Sequence, residues 1–302
     1  MDLIAAEGIE KRFGQLTALR DISLRVRRGE LYGLIGPDGA GKTTFFRILT
    51  TLMPPDGGRA TVDGLDIATD YRRIRAAVGY MPGRFSLYPD LTVKENLEFF
   101  ATLFGTRLED NYDLIRDIYV QIEPFRNRRA GRLSGGMKQK LALCCALIHR
   151  PRVLFLDEPT TGVDVVSRHE FWDMLSGLKR QGITMLVSTP YMDEAVRCDR
   201  IALIQSGRLL SIDTPSGIIE NYPDALFEVR AENMRQLTDE IRKRCSPQSC
   251  FAFGRSLHVS FSRDDAEAPQ RMRAALTTAG CTNLEIAPIT PSIEDCFIQQ
   301  MR

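Results

Sequence analysis

The feature that most constrains this chain is an apolar run, Leu31-Tyr32-Gly33-Leu34-Ile35, followed at once by Gly36-Pro37-Asp38-Gly39-Ala40-Gly41-Lys42-Thr43. The run is apolar on both faces, which suits a fully buried strand. The second segment fits G-x-x-x-x-G-K-[ST], the pattern of a phosphate-binding loop. Its glycines let backbone N–H groups turn inward and approach phosphate oxygens with no Cβ in the way. From Lys42 the pattern turns helical through Phe45, Phe46, Ile48, Leu49 and Leu52, until Pro54-Pro55-Asp56-Gly57-Gly58 stops it. The positive end of that helix adds to the anion site. Lys42 is placed to reach the β- and γ-phosphates, and Thr43 to set a hydroxyl on Mg²⁺. The candidate nucleotide-binding residues here are therefore Gly36, Pro37, Asp38, Gly39, Ala40, Gly41, Lys42, Thr43 and the next residue, Thr44.

A second apolar run, Val153-Leu154-Phe155-Leu156, ends in Asp157-Glu158. A buried strand delivers such acids to the carboxyl edge of a sheet, where open α/β folds bind ligands. Asp157 is then the candidate to organise Mg²⁺ and Glu158 the candidate general base for an attacking water. Strand, loop and helix patterns alternate again through 153–188, arguing for an α/β fold with a parallel central sheet. Residues 92–150 read as mainly helical, opened by the capping-box pattern Thr92-Val93-Lys94-Glu95. Ser206-Gly207, between apolar runs 201–204 and 209–212, reads as a hairpin turn.

The length of 302 residues suggests about two domains. The composition shifts near 213–224, with Pro215, Gly217 and Pro223, and a strand–helix–strand–strand–helix–strand pattern follows. The expected division is residues 1–218, with a helical subdomain at about 86–150, and a small α+β domain at 219–302. The element order of the latter is compatible with a ferredoxin-like domain.

Lys and Arg total 40 against 39 Asp and Glu, a net charge of +1. That balance removes the global case for a nucleic-acid trap or a polybasic membrane binder. No apolar stretch reaches the ~18 residues of a membrane span, and the first residues carry no basic or long apolar signal region. The seven cysteines are scattered and the three histidines lie far apart. Reduced thiols, no disulfide between Cys245 and Cys250, no structural zinc and a cytosolic setting are the expectations.

Three further segments narrow the class. Leu133-Ser134-Gly135-Gly136-Met137 resembles the signature motif of ATP-binding-cassette (ABC) ATPases. Thr160-Thr161-Gly162-Val163-Asp164 looks like that family's D-loop, and Phe13 is similar to its adenine-stacking aromatic. The resemblance covers about residues 1–215, and Pro291-Ser292-Ile293-Glu294-Asp295-Cys296-Phe297 resembles the ending of cassette subunits that pair with ABC-2-type permeases of bacterial exporters. It implies an ATP- and Mg²⁺-dependent ATPase, peripheral on the inner face of the cell membrane. It also implies a head-to-tail homodimer in which Ser134, Gly135, Gly136 and Asp164 of one subunit meet the nucleotide of the other. A separate permease is the second implied partner, receiving the segment around Phe85, Leu87 and Tyr88. Nucleic acid is not expected as a partner.

The chain departs from the family at three places. Gly83 stands where a glutamine is usual, Pro190 where a histidine is usual, and Asp38 where an asparagine is usual. Proline can neither donate to a phosphate nor position water. Two function classes are thus left by the sequence: an ATP-hydrolysing motor of an exporter, and a nucleotide-binding regulatory or scaffold subunit with little turnover.

Overall fold

The computed structural model describes residues 1–83 and 87–301, which divide into two compact units, Met1–Pro215 and Ser216–Arg302. The first unit opens with β1 (Asp2–Phe13), β2 (Leu16–Arg27) and β3 (Leu31–Ile35), followed by α1 (Lys42–Leu49). Then come β4 (Gly57–Val62), β5 (Leu65–Asp66), α2 (Tyr71–Ala77) and β6 (Val78–Met81). A helical stretch follows, α3 (Val93–Leu103), α4 (Tyr112–Tyr119) and α5 (Gly135–Leu147). The chain returns to the sheet through β7 (Val153–Asp157), α6 (Val165–Arg180), β8 (Thr184–Thr189), β9 (Arg200–Gln205) and β10 (Arg208–Asp213).

Two sheets result. One is antiparallel, ordered β2-β1-β4-β5; the other runs β10-β9-β3-β8-β7-β6, parallel except for the β9–β10 hairpin. The patterns explain the difference. Every residue of β3, β7 and β8 is buried, as parallel strands covered on both faces must be. β2 instead buries Leu19, Ile22, Leu24 and Val26 on one face and exposes most of the residues between them. α1 lies between the sheets with Phe45, Phe46, Ile48 and Leu49 buried, and Phe46 meets Phe155 of β7 edge to face at 6.1 Å. The helix ends at Leu49, and Leu52, which the apolar pattern suggested as part of it, is exposed. Thr51 at φ 62 turns the chain out of the helix in the left-handed region.

Thr92 and Glu95 form the capping box expected at α3. Fully buried Asn96 braces the turn before it. Its amide donates to the carbonyls of Tyr88, Leu91 and Thr92, and its oxygen accepts from the Tyr88 amide. The second half of α5, Leu141 through Leu147, is buried on all sides, which places it in the interior of its unit.

The register sets the site. Ile35 pairs with Thr189, Asp157 with Ser188, and Leu156 with Met81. The turns beginning at Gly36, Pro82, Glu158 and Pro190 therefore leave one edge of the sheet together.

The second unit contains α7 (Pro215–Glu220), β11 (Asp224–Arg230), α8 (Met234–Arg244), β12 (Ser249–Phe253), β13 (Ser256–Ser262), α9 (Ala268–Thr278), β14 (Glu285–Pro288) and α10 (Ile293–Gln300). The division falls three residues before the expected 218, because Ser216 and the rest of α7 cluster with this unit. Its sheet is antiparallel, ordered β12-β13-β11-β14, and α8 packs beside α9 over a core that includes Val229, Leu237, Ile241, Val259, Met272 and Leu276. Among the described residues of the chain, no helix is long and apolar enough to cross a membrane.

Candidate functional site

The loop after β3 owes its path to its glycines. Gly39 and Gly41 take φ values of +77° and +107°, a region costly for residues with a Cβ. A Cβ on Gly41 would also lie 2.6 Å from the Ala18 carbonyl oxygen, and one on Gly36 2.2 Å from that of Ile204. The hairpin turn Ser206-Gly207 buttresses the loop, since the Gly207 amide donates to the Ala40 carbonyl at 3.0 Å.

Lys42 is almost fully buried at the start of α1. Its ammonium donates to the carbonyls of Gly36 at 2.7 Å and Pro37 at 2.9 Å, and pairs with a Glu158 oxygen at 3.0 Å. All three donors of the amine are thereby engaged. Asp157, 1% exposed at the end of β7, accepts from Ser188 Oγ at 2.7 Å and also bonds Thr43. Burial raises its carboxyl above the usual range, while the bonds from Ser188 and Thr43 pull it back. Glu158 follows at φ 51, its amide donating to Ser188 Oγ at 2.9 Å and to the Ser188 carbonyl at 3.1 Å.

A cleft of about 430 Å³ opens here, lined by Phe13, Gly39, Gly41, Lys42, Thr43, Thr44 and Glu158. Phe13, at the end of β1, is 45% exposed, with the Lys11 ammonium 5.9 Å from its ring centroid. Leu16, Thr17, Ala18, Arg20, Ser206 and Gly207 complete the lining. Sequence reasoning did not reach these six as site residues. Only Ser206-Gly207 carried a signal, and that was for a turn. Asp38 is exposed on the loop.

Ser134, Gly135, Gly136 and Asp164 stand apart from this cleft and close to one another. Ser134 caps α5, accepting from the Met137 amide at 3.4 Å, and Asp164 caps α6, accepting from the Ser167 amide at 3.0 Å. That backbone bond holds the Asp164 carboxyl below its usual range. A Cβ on Gly136 would lie 2.8 Å from Ser167 Oγ, so the two helix starts touch.

Gly83 packs against the end of β7, where a Cβ would come within 2.9 Å of the Asp157 carbonyl oxygen. The expectation that Leu87 is offered to a partner is corrected. Leu87 is 6% exposed and lines a separate cavity of about 190 Å³ with Met81, Phe100, Phe104 and Cys145. An apolar residue following the end of a sheet strand finds cover in its own unit here. Tyr88 is 47% exposed, its ring edge-on to Phe99 at 4.7 Å. Phe85 lies outside the described residues.

A glycine-rich loop between a buried parallel strand and a helix, with Glu158 at the end of another strand of the same sheet paired to its lysine and Asp157 beside it bonded to Thr43, defines a P-loop nucleotide-binding protein. The ABC transporter family matches over residues 19–161. A daunorubicin resistance ATP-binding protein of Streptomyces coeruleorubidus is 42% identical over 98% of this chain and 94% of its own length. A probable multidrug ABC transporter ATP-binding protein of Escherichia coli is 37% identical over 98% of this chain, which spans about half, 51%, of that relative. The solved dimeric structure of a bacterial ABC transporter cassette overlays 70% of the chain with a TM-score of 0.63 at 25% identity. This chain belongs to the ATP-binding proteins of ABC transporters.

Proposed function

We propose that the chain binds and hydrolyses ATP to power export through a separate ABC-2-type membrane permease, of drugs or other amphiphiles. The observation that carries this reading is the meeting of Lys42, Thr43, Asp157 and Glu158 at one sheet edge. Gly36, Pro37, Asp38, Gly39, Ala40, Gly41, Lys42, Thr43 and Thr44 hold the phosphates, and Phe13 stacks on the adenine. An incoming phosphate competes with Glu158 for Lys42, because the ammonium has no spare donor. Glu158, released from that ion pair, takes the proton of the attacking water. Ser134, Gly135, Gly136 and Asp164, clustered outside the cleft, face the nucleotide of a second identical subunit. ATP closes this dimer and hydrolysis opens it.

The chemistry of the donors fits Mg²⁺, which takes a carboxylate, a hydroxyl and substrate phosphates rather than a full protein cage. Asp157 and Thr43 would hold the ion, which would neutralise charge on the phosphates. Burial favours the protonated form of Asp157, so protons compete with the cation at a pH above the usual carboxylate range. Titration calorimetry should show Mg²⁺-dependent ATP affinity falling as pH is lowered, approaching about tenfold per unit below that pKa. A flat profile into the ordinary Asp range would remove Asp157 from the metal site.

The first unit, Met1–Pro215, is assigned as the nucleotide-binding domain, with the helical subdomain at about 86–150, and the second, Ser216–Arg302, as an accessory domain. The order βαββαβ, with strands paired β12-β13-β11-β14, supports a ferredoxin-like fold for the latter. The protein is placed on the inner face of the cell membrane, at its permease. Exposed Tyr88, on the turn braced by Asn96, is assigned to the permease contact. An aromatic anchor of this kind contributes about 2 kcal/mol or more to docking. Tyr88→Ala should therefore reduce co-purification with the permease and leave ATP affinity unchanged; undiminished assembly would sink the assignment. The function as a whole is tested by phosphate release from Mg²⁺-ATP, for the purified chain alone and with its permease. Absence of turnover in both would overturn it.

A further inference from the structure

Glu158 sits in a left-handed conformation at φ 51, which is strained for a non-glycine residue and lasts only where the surroundings enforce it. One side of the enforcement is Ser188, which accepts from the Glu158 amide through both its hydroxyl and its carbonyl. The other side involves a buried carboxylate that the proposed chemistry does not use.

Glu194 lies in the turn Met192–Arg197 after β8 and is 4% exposed. It accepts from Thr160 Oγ1 at 2.9 Å and 3.1 Å, from Thr189 Oγ1, and from Arg168 Nε at 2.9 Å. Thr160 is two residues beyond Glu158 and 1% exposed; Thr189 is the residue before Pro190. Arg168 of α6 also donates to Asp193 at 3.0 Å, and its guanidinium lies 3.9 Å from the Tyr191 ring centroid. A buried anion needs such charged and hydroxyl donors to offset its desolvation. The arrangement ties the loop leaving β7 to the turn leaving β8. Pro190 has neither an N–H nor a polar side chain with which to hold that turn. The hydroxyl of Thr189, which also accepts from the Tyr191 amide at 3.1 Å, links the turn to Glu194 instead.

We propose that Thr160, Glu194 and Arg168 are positioning residues that hold Glu158 in its working geometry, in the place of this chain's fold that carries Pro190. The inference rests on the ATPase reading above. Thr160→Val removes the hydroxyl at nearly constant shape, Thr160→Ser keeps it, and Glu194→Gln removes the charge at nearly constant volume. In steady-state assays of the full chain, Thr160→Val and Glu194→Gln should each lower kcat about tenfold or more while KM for ATP stays within about twofold. Thr160→Ser should restore kcat to near the parental value. Should Thr160→Val fail to fold, Arg168→Gln, at the outer side of the same network, takes its place and should show the same loss of kcat.

Parental kcat in Thr160→Val and Glu194→Gln overturns the proposal. So does a lowered melting temperature with kcat unchanged at the assay temperature, which would make the network a brace for the fold alone. A rise in KM with kcat unchanged overturns it as well, assigning the network to nucleotide binding. A parent with no turnover either alone or with its permease overturns the ATPase reading and this proposal with it, whereas an active parent with active variants overturns this proposal alone.

Discussion

Glu158→Gln should leave ATP bound and slow its hydrolysis by about 10²–10⁴, the usual contribution of a positioned general base. The geometry separates the two effects. Binding depends on Lys42 and the backbone of the loop, and Glu158 competes for that lysine at 3.0 Å. Removing the carboxylate charge frees the ammonium, so ATP affinity is expected to hold or rise. The amide cannot take a proton from water, so the step after binding slows. The ATP-loaded subunits should then accumulate as a dimer, seen as an earlier elution on size exclusion with ATP than without it. Hydrolysis at the parental rate would show that Glu158 is not the base.

Phe155→Ala should destabilise the first unit by about 3–5 kcal/mol, the range for emptying a buried phenylalanine site. Phe155 is fully buried in a strand that is buried throughout, and Phe46 of α1 meets it edge to face. The surrounding core includes Leu186 of β8, the parallel strand paired with β7, and Leu34 of β3 on the far side of β8. Such a site collapses poorly, so most of the cavity cost remains. Against a typical total of ~5–15 kcal/mol, this loss is large. The chain has a single tryptophan, and Trp172 is buried in α6 of the first unit. Its fluorescence therefore follows that unit in a denaturant titration. A loss under about 1 kcal/mol would refute the packing argument.

Local chemistry made part of this legible in the residues alone. The phosphate loop is contiguous, and its glycines, lysine and threonine act through backbone geometry over eight positions, so one segment carries the whole signal. The capping box at Thr92 and Glu95 and the turn at Ser206-Gly207 are likewise local and stand where the pattern put them. The strand 153–156 and its two acids followed from burial on both faces.

Other features depend on which strands become neighbours, and no local pattern carries that. Ser188 reaches Asp157 only because β7 and β8 pair in parallel with those residues opposed. Gly207 supports Ala40 only because β9 lies beside β3. Leu87 read as a partner contact because an apolar residue among turn residues has no period, and its cover comes from Phe100, Phe104 and Cys145, distant in sequence. Nothing local marks Glu194, yet it is buried against donors from Thr160, Thr189 and Arg168.

The sequence by itself determined the phosphate loop, the paired acids and the alternation of strands and helices, because hydrophobic period, glycine conformational freedom and capping act within a few residues. The tertiary structure alone decided what each acid bonds to, that Lys42 is held by Glu158, and that the Ser134 and Asp164 helix starts adjoin one another away from the cleft. Those contacts join segments tens of residues apart, and their geometry is set by strand register and core packing rather than by any neighbour in the chain.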